Sequence, residues 1–233
     1  MSIDKSIYVR DMFAAIAPRY DAANRVLTAG VDELWRRRAV RELAAPSGGR
    51  LLDVCCGTGD LAFHIARSNP TLRVEAVDFC EPMLEAARKR QVRERSGARV
   101  TFAIADALAL PYPDGTFEGA TMGFAMRNVV DISATLREVR RVLRPGARFV
   151  NLDVSKAPNP LFRRAFDVYF YHVVPFVGGL VGGSQSAYRY LPNSLTNYPD
   201  ADALAARFAD AGFRESRYRR FAGGAIAIHV GAA

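Results

Sequence analysis

The stretch Leu51-Leu52-Asp53-Val54-Cys55-Cys56-Gly57-Thr58-Gly59-Asp60 decides the fold. An apolar run ends in an acid and small residues, passes through Gly-Thr-Gly, and is followed by the helical pattern of residues 61–67. This order predicts a buried strand, a tight turn and a helix start. Glycine lets a ligand approach the backbone closely, and a helix start has free N–H groups. We therefore expect a ligand-binding turn at the carboxyl end of a strand in an α/β sheet.

The turn does not match the dinucleotide-binding fingerprint, which requires G-x-G-x-x-G. Only Gly57 and Gly59 are present, and no third glycine stands where a helix would meet a pyrophosphate. Asp53, just before the turn, would also repel a diphosphate. An acid at this position instead favours a ligand that is cationic or bears an amine.

Two further predicted strands also end in an acid. The second, at residues 74–78, ends at Asp78, whose carboxylate can accept hydrogen bonds from both hydroxyls of a ribose. The third begins at residue 100 and leads to Asp106, which can accept from the amino group of an adenine. Three such strands around one short glycine turn resemble the class I S-adenosyl-L-methionine (SAM) methyltransferases. The alternative is an α/β enzyme in which these acids only cap helices.

Composition and charge are those of a soluble globular chain, and its 233 residues fit one domain over 1–233. The net charge of +8 is carried mainly by arginines along helical faces, which is typical of a solvated surface; an anionic partner is the alternative. Three cysteines, two of them adjacent, form no disulfide framework and complete no metal site. We recognise no signal peptide and no apolar run near the roughly 18 residues of a membrane span, so we expect none.

The remaining pattern predicts a seven-stranded, Rossmann-like sheet whose last strand is antiparallel. Residues 1–45 are predicted to form a helical cap over the ligand site, interrupted at Gly30. A helix at 131–144 is predicted to stop at Pro145-Gly146. The other four strands are expected at residues 117–124, 147–153, 213–221 and 225–230.

Residues 155–196 form an insertion that a regular α/β fold does not need. We expect an aromatic helix at 159–174 that ends at Pro175, followed by a flexible apolar segment at 176–183. Long excursions of this kind usually carry function, as a lid or a substrate pocket.

Six motifs spread along the chain occur together: Ala17-Pro18-Arg19-Tyr20-Asp21, Leu34-Trp35-Arg36, the stretch 53–61, Ala109-Leu110-Pro111-Tyr112-Pro113-Asp114, Gly123-Phe124-Ala125-Met126-Arg127-Asn128-Val129 and Ser186-Ala187-Tyr188-Arg189-Tyr190-Leu191. They resemble the ubiquinone/menaquinone biosynthesis C-methyltransferases, the UbiE/MenG family. The resemblance covers essentially the whole chain. It implies methyl transfer from SAM to a ring carbon of a demethylated polyprenyl quinol.

The same match implies which residues bind the cofactor. SAM would contact Thr58, Asp78, Asp106 and Ala107, with Asp53, Gly57 and Gly59 beside them. Gly123 stands where the ubiquinone branch often has serine, which favours demethylmenaquinol as the substrate. A polyprenyl benzoquinol of ubiquinone synthesis remains the other possibility within the family.

The chemistry suggests three catalytic candidates. A quinol carbon becomes nucleophilic when the neighbouring hydroxyl loses its proton, so the site needs a base and groups that stabilise the phenolate. Arg127 and Asn128 follow the fourth strand and can supply charge and hydrogen bonds. His172 is the type of side chain that most often transfers protons in enzymes, although a structural histidine explains it equally well.

The substrate side is predicted to include Tyr20, Tyr188 and Arg189, each of which could instead have a purely structural role. The apolar residues 162–181 would accommodate the prenyl chain, and an arginine-rich periphery would hold a cytoplasmic protein at the inner face of an anionic membrane without anchoring it. The oligomeric state stays open.

Three rival functions keep the fold. A SAM methyltransferase that acts on another aromatic or lipid-like small molecule is the first. A nucleic-acid methyltransferase is disfavoured because the fourth strand lacks an N-P-P-Y or D-P-P-Y ending. A binding protein without activity is disfavoured by the intact acids and glycine turn.

Overall fold

A seven-stranded sheet lies at the centre of the computed structural model, which describes residues 2–233. Its strands are β1 (Arg50–Val54), β2 (Arg73–Asp78), β3 (Val100–Ile104), β4 (Phe117–Gly123), β5 (Leu143–Val154), β6 (Arg214–Phe221) and β7 (Ile226–Ala232). The spatial order is β3-β2-β1-β4-β5-β7-β6, and β7 runs antiparallel to both of its neighbours. The predicted Rossmann-like sheet with an antiparallel last strand is therefore confirmed.

Helices cover both faces of this sheet. They are α1 (Ser2–Ile16), α2 (Tyr20–Leu27), α3 (Asp32–Glu42), α4 (Asp60–Ser68), α5 (Glu81–Gln91), α6 (Ile132–Val142), α7 (Pro160–Val168), α8 (Val174–Gly182), α9 (Gln185–Thr196) and α10 (Ala201–Asp210). Helix α3 packs on α4, and α10 packs on α6 and on the β6–β7 pair. Because both faces are covered, the central strands are mainly apolar, as the buried Leu51, Leu52 and Val54 of β1 show.

The N-terminal segment contains the helices α1, α2 and α3. The left-handed φ of +76° at Gly30 separates α2 from α3, at the position where the sequence predicted a break. Helix α1 packs on α5, which lies against the sheet, and on α9, which belongs to the insertion. It therefore connects these two parts of the fold.

Two predicted element ends are wrong. Helix α6 ends at Val142, and Leu143 already pairs with Phe117 as the first residue of β5. Pro145 and Gly146 therefore lie within a strand rather than stopping a helix. The register between β4 and β5 shifts after this pair, which is an irregularity that accommodates a proline and a glycine of left-handed φ.

The second error concerns Pro175, which does not end the aromatic helix. The chain continues through a π-helical turn, Tyr169–Val173, into α8, so the segment predicted to be flexible is helical. In that wide turn the Val174 N–H donates to the Tyr169 carbonyl. The wide turn resets the hydrogen-bond ladder just ahead of Pro175, which has no N–H to contribute.

The combined helix Pro160–Gly182 bears on the expectation that no segment spans a membrane. It has 23 residues, and an 18-residue window within it, of mean hydropathy 1.3, is long and apolar enough to cross a bilayer by length and composition only; 28% of that window is buried. Length and composition alone do not separate a span from a helix that packs on a domain. Here the helix packs on α2 and α9, and the Tyr169 hydroxyl donates to the Leu27 carbonyl.

Candidate active site

A cavity of about 340 Å³ opens at the carboxyl ends of β1, β2 and β4. Chain order reverses between β1 and β4, the point at which open α/β sheets place their ligands. The segment after β3 and the inner face of α1 complete the walls. The lining includes Ile7, Val9, Phe13, Tyr20, Gly57, Asp78, Phe79, Met83, Asp106, Ala107, Phe124 and Asn128.

The glycine turn shapes the floor of this cavity. Gly57 has a φ of +55°, and a Cβ at this position would lie 3.2 Å from the Met83 Cε. Gly59 has a φ of +82° and faces away from the cavity, because a Cβ there would lie 2.9 Å from the Phe102 ring. Glycine is therefore needed at the two positions for different reasons. A side chain at Gly59 would clash with the Phe102 ring, whereas the missing side chain at Gly57 leaves room for a ligand.

Two of the three predicted acids reach the cavity. The Asp78 carboxylate accepts hydrogen bonds from the backbone N–H of Gly57 (2.8 Å) and of Cys80 (2.9 Å). Burial raises the pKa of Asp78 despite these donors. Each oxygen keeps a lone pair for a ligand. Asp106 is exposed and accepts from the Leu108 N–H at 2.9 Å, and Ala107 lines the cavity beside it.

Asp53 and Thr58 lie outside the cavity and hold its walls together. The Asp53 carboxylate accepts hydrogen bonds from the Thr121 hydroxyl (2.7 Å) and the Ala62 N–H (3.1 Å), and burial raises its pKa to about 7. The Thr58 hydroxyl donates to Asp21 at 2.6 Å. Asp53 thus joins β1, β4 and α4, and Thr58 joins the glycine turn to α2; neither side chain lines the cavity.

Tyr20 and Asn128 are the polar side chains on the other side of the cavity. Burial raises the pKa of Tyr20, so its phenol stays protonated at neutral pH and can donate a hydrogen bond. The Asn128 Nδ2 donates weakly to the Phe124 carbonyl (3.5 Å), while its buried Oδ1 has no partner among the described residues. A buried acceptor without a partner is costly, so this atom favours a ligand that brings a hydroxyl.

Arg127 lies behind Asn128 and does not line the cavity. Its guanidinium forms a buried ion pair with Asp153, and its backbone N–H donates to the same carboxylate at 3.2 Å. Burial acts to lower the pKa of Arg127, but the charge and hydrogen bond of Asp153, together with Tyr20 and Tyr198, more than offset it, so that this pKa is raised. Arg127 is therefore a fixed cation and not a base.

The structure does not bring His172, Tyr188 or Arg189 to the cavity. His172 and Arg189 are exposed on the outer surface of the insertion. Tyr188 is buried, and its ring fills the space that side chains at Gly178 and Gly182 would occupy. These placements argue against a direct catalytic or substrate contact, because none of the three side chains lines the cavity.

Sequence reasoning missed the apolar lining of the cavity. Val9 and Phe13 come from the inner face of α1, and Phe79 and Phe124 directly follow the ends of β2 and β4. Phe124 has a φ of +57°, which turns the chain across the cavity mouth. The only available signal was the position of the last two, since residues after parallel strands line such sites.

The described residues fit SAM. Asp78 ends β2 with free acceptor capacity for ribose hydroxyls, and Asp106 offers a carboxylate one strand further along. Gly57 leaves the floor open at the glycine turn, and Met83 and Phe79 supply apolar surface for a purine. The acids also suit the positive charge of a sulfonium.

Solved structures show the same fold. A SAM-dependent methyltransferase from Thermotoga maritima, described as a possible histamine N-methyltransferase, superimposes with a TM-score of 0.67 at 20% identity, over 95% of this chain and 98% of that one. A SAM-dependent methyltransferase from Aquifex aeolicus gives a TM-score of 0.64 at 18% identity, over 91% of this chain and 96% of the other. At such identities these likenesses establish the fold alone.

Sequence relatives are much more similar. A Thermus thermophilus protein named demethylmenaquinone methyltransferase is 46% identical over 94% of this chain and 99% of its own length. A Geobacter sulfurreducens protein named ubiquinone/menaquinone biosynthesis C-methyltransferase UbiE is 43% identical over 98% of this chain and 89% of its own. The model of the ubiE/COQ5 methyltransferase family matches residues 1–233. With the fold and the cavity described above, the chain therefore belongs to the ubiE/COQ5 methyltransferase family.

Proposed function

We propose that this protein transfers the methyl group of SAM to a ring carbon of a demethylated polyprenyl quinol, with demethylmenaquinol as the main substrate. Family and fold imply SAM as the cofactor. The observation that carries the proposal is the two-sided cavity, in which Asp78 and Asp106 face an apolar chamber of Val9, Phe13 and Phe124. The names of the relatives supply the quinone class.

On the cofactor side, this chain supplies binding and orientation. SAM, when bound, provides an electrophilic methyl group on a sulfonium. Asp78 would hold the ribose and Asp106 the adenine amino group, while Gly57 lets the ligand lie against the backbone. Asp78 is itself fixed by the Gly57 and Cys80 amides, so little reorganisation is needed on binding.

On the quinol side, Tyr20 and Asn128 would hold the ring hydroxyl next to the carbon that is methylated. A protonated Tyr20 donates to a phenolate oxygen and stabilises its charge. The Asn128 Oδ1 accepts from the hydroxyl before the proton leaves. The apolar residues of α1 exclude water from the ring, which strengthens both hydrogen bonds.

Arg127 would act from behind Asn128 as a positioning residue. Its ion pair with Asp153 anchors the turn after β4, so that Asn128 is held at the cavity wall. The Asp153 carboxylate offsets the guanidinium charge, so this anchoring is the main contribution of Arg127 to the site. Arg127 stays protonated and accepts no proton; the hydroxyl proton before methyl transfer and the ring proton of the methylated carbon after it both leave to solvent.

The prenyl chain would extend from the cavity along the insertion, whose helices expose a row of apolar side chains. Leu161, Val168, Phe176 and Leu180 are 77%, 60%, 63% and 69% exposed. Exposed apolar side chains of this density suit a lipid phase. We therefore include in the proposal a cytoplasmic protein with peripheral contact at the inner face of the membrane.

The test is a reconstituted reaction. Purified protein, SAM and chemically reduced demethylmenaquinone with a short prenyl chain are incubated in detergent, and the product is analysed by mass spectrometry. A product heavier by one CH₂ unit, with the methyl on the ring carbon, supports the proposal. A polyprenyl methoxybenzoquinol and a simple phenol are run in parallel. Turnover of the phenol with none of either quinol would refute the quinol assignment and leave the methyltransferase class.

A further inference from the structure

A second groove lies between α3 and the β6–β7 pair and shares no residue with the active-site cavity. Its volume is about 410 Å³. Arg38 and Arg41, one turn apart on α3, form one wall, and Arg217 and Arg219 of β6 form the other. Four guanidinium groups thus converge on one open site.

Strand alternation explains why these arginines face the groove. Along β6, Arg217 and Arg219 point to one side, while Tyr218 and Arg220 point to the other and bond to Asp202 of α10. Since α10 covers that second side, its acid neutralises only Arg220. Arg217 and Arg219, on the groove side, therefore have no acidic partner on α10.

The floor of the groove is apolar and holds two of the arginines in place. Phe221, Ile228 and Val230 form this floor. The guanidinium carbons of Arg38 and Arg219 lie 5.5 and 5.9 Å from the centre of the Phe221 ring, within cation–π range. Both side chains are thereby oriented over the groove instead of extending freely into solvent.

Positive charge in the groove is poorly balanced. Glu42 is the acid in its lining, and it pairs with Arg217 at 2.9 Å. Across the described part of the chain, Arg38, Arg41 and Arg219 form no salt bridge. Like charges brought together repel each other, so an anion bound between them is stabilised. Planar guanidinium forks match phosphate oxygens in particular.

Apolar side chains border the groove. Phe162 at the start of α7 lies against the β6–β7 turn, because a Cβ on Gly223 would come within 2.6 Å of its ring. That turn follows Phe221 directly. Leu34, one helical turn before Arg38 on α3, is half exposed. A cationic groove bordered by apolar side chains suits an amphiphile, which has both an anionic and an apolar part. It suits a nucleic acid less well, because the sugar–phosphate backbone has no apolar part.

We propose that this groove binds the phosphate of an anionic phospholipid headgroup, while Leu34, Leu161 and Phe162 contact the acyl boundary. The proposal deepens the membrane contact proposed above. By this proposal, the preference for anionic over neutral lipid comes from one site, on the face of the sheet opposite α10. No residue of this site belongs to the active-site cavity.

The test is sedimentation with vesicles of phosphatidylcholine, with and without phosphatidylglycerol, at physiological salt. The groove variant is Arg41→Gln/Arg219→Gln, and the matched control is Arg93→Gln/Arg95→Gln, which removes two exposed arginines beyond α5. An arginine near an anionic surface contributes on the order of fivefold, so the groove variant should bind roughly 30-fold more weakly than wild type. The control should lose less than about threefold, and wild type should not bind pure phosphatidylcholine.

Three results would overturn the proposal. Equal losses in the two variants would assign binding to overall charge. Competition by millimolar inorganic phosphate that abolishes vesicle binding would make this a site for free phosphate. Loss of duplex DNA binding in the groove variant, with vesicle binding intact, would make the occupant a nucleic acid. Methyl transfer in detergent is measured alongside and should match wild type in both variants, so a failure of the proposed function is seen separately.

Discussion

The carboxylate of Asp78 accepts a hydrogen bond of 2.8 Å from the backbone N–H of Gly57. Through this bond the acid at the end of β2 and the glycine turn after β1 form one rigid wall of the cavity. Any change at Asp78 therefore affects both the ligand contact and the turn that shapes the cavity floor.

Asp78→Asn should weaken SAM binding by about 10- to 100-fold, because charge-assisted hydrogen bonds of the carboxylate are lost. Titration calorimetry measures the effect. Asp210→Asn, at the exposed end of α10, removes the same charge away from the cavity and should bind SAM like wild type. Unchanged SAM affinity of the Asp78 variant would exclude the proposed ribose contact.

The buried Asp53 should make the protein less stable as pH rises. Burial raises its pKa in the fold to about 7, above the ordinary value of 3.8. Between these values the folded state binds more protons than the unfolded state, so its stability is full below pH 4 and declines up to pH 7. Asp53→Asn, which retains both hydrogen bonds if Thr121 becomes the acceptor, should remove this decline.

The measurement is urea unfolding of wild type and Asp53→Asn from pH 4.5 to 7.5. The free energy of unfolding of the variant relative to wild type should increase with pH, by at most about 1.4 kcal/mol per pH unit. A difference that stays constant over this range would show that Asp53 does not titrate there.

Removing Arg127 alone should destabilise the fold as well as stop turnover. Arg127→Met leaves the Asp153 carboxylate buried without its partner, which costs about 3–5 kcal/mol of unfolding free energy. The double variant Arg127→Met/Asp153→Asn, whose amide oxygen can still accept from the backbone N–H groups of Arg127 and Val154, should recover most of that stability, but not methyl transfer. Turnover close to wild type in the double variant would limit Arg127 to a structural role.

His172→Ala should leave methyl transfer in detergent within about twofold of wild type, because this side chain lies on the exposed surface of the insertion. Asn128→Ala should reduce turnover by about 100-fold or more, as expected for loss of a preorganised polar contact. Initial rates at saturating SAM compare the two variants. A decrease of more than tenfold in the initial rate of the His172 variant would indicate that this residue takes part in catalysis.

Gly182→Ala should lower the free energy of unfolding by about 1–3 kcal/mol, because the new Cβ would lie 2.3 Å from the Tyr188 ring. Tyr188→Phe should be neutral or stabilising, since the buried hydroxyl has no partner among the described residues. Thermal unfolding measures both variants. A strongly destabilised Tyr188→Phe would mean that the hydroxyl makes a contact within the fold.

The sequence predicted which residues lie at the ligand-binding edge of the sheet, while contacts between distant elements did not follow from it. Gly57, Asp78 and Asp106 each follow a strand, so their place at one edge of a parallel sheet follows from strand order. Asp53 also ends a strand, but its side chain points to Thr121 and Ala62. Successive side chains along a strand point to opposite faces of the sheet, so a shift of one residue moves a side chain to the other face. The sequence alone does not fix which of these side chains meets the ligand.

The sequence by itself determined the sheet, its antiparallel last strand and the glycine turn after β1, because local periodicity and glycine positions specify strands and turns directly. Only the tertiary structure decided that Arg127 is held by Asp153, that His172 faces solvent, and that arginines of α3 and β6 meet in one groove. These relationships join residues far apart in the chain. Their geometry depends on how helices pack on the sheet, which no local pattern encodes.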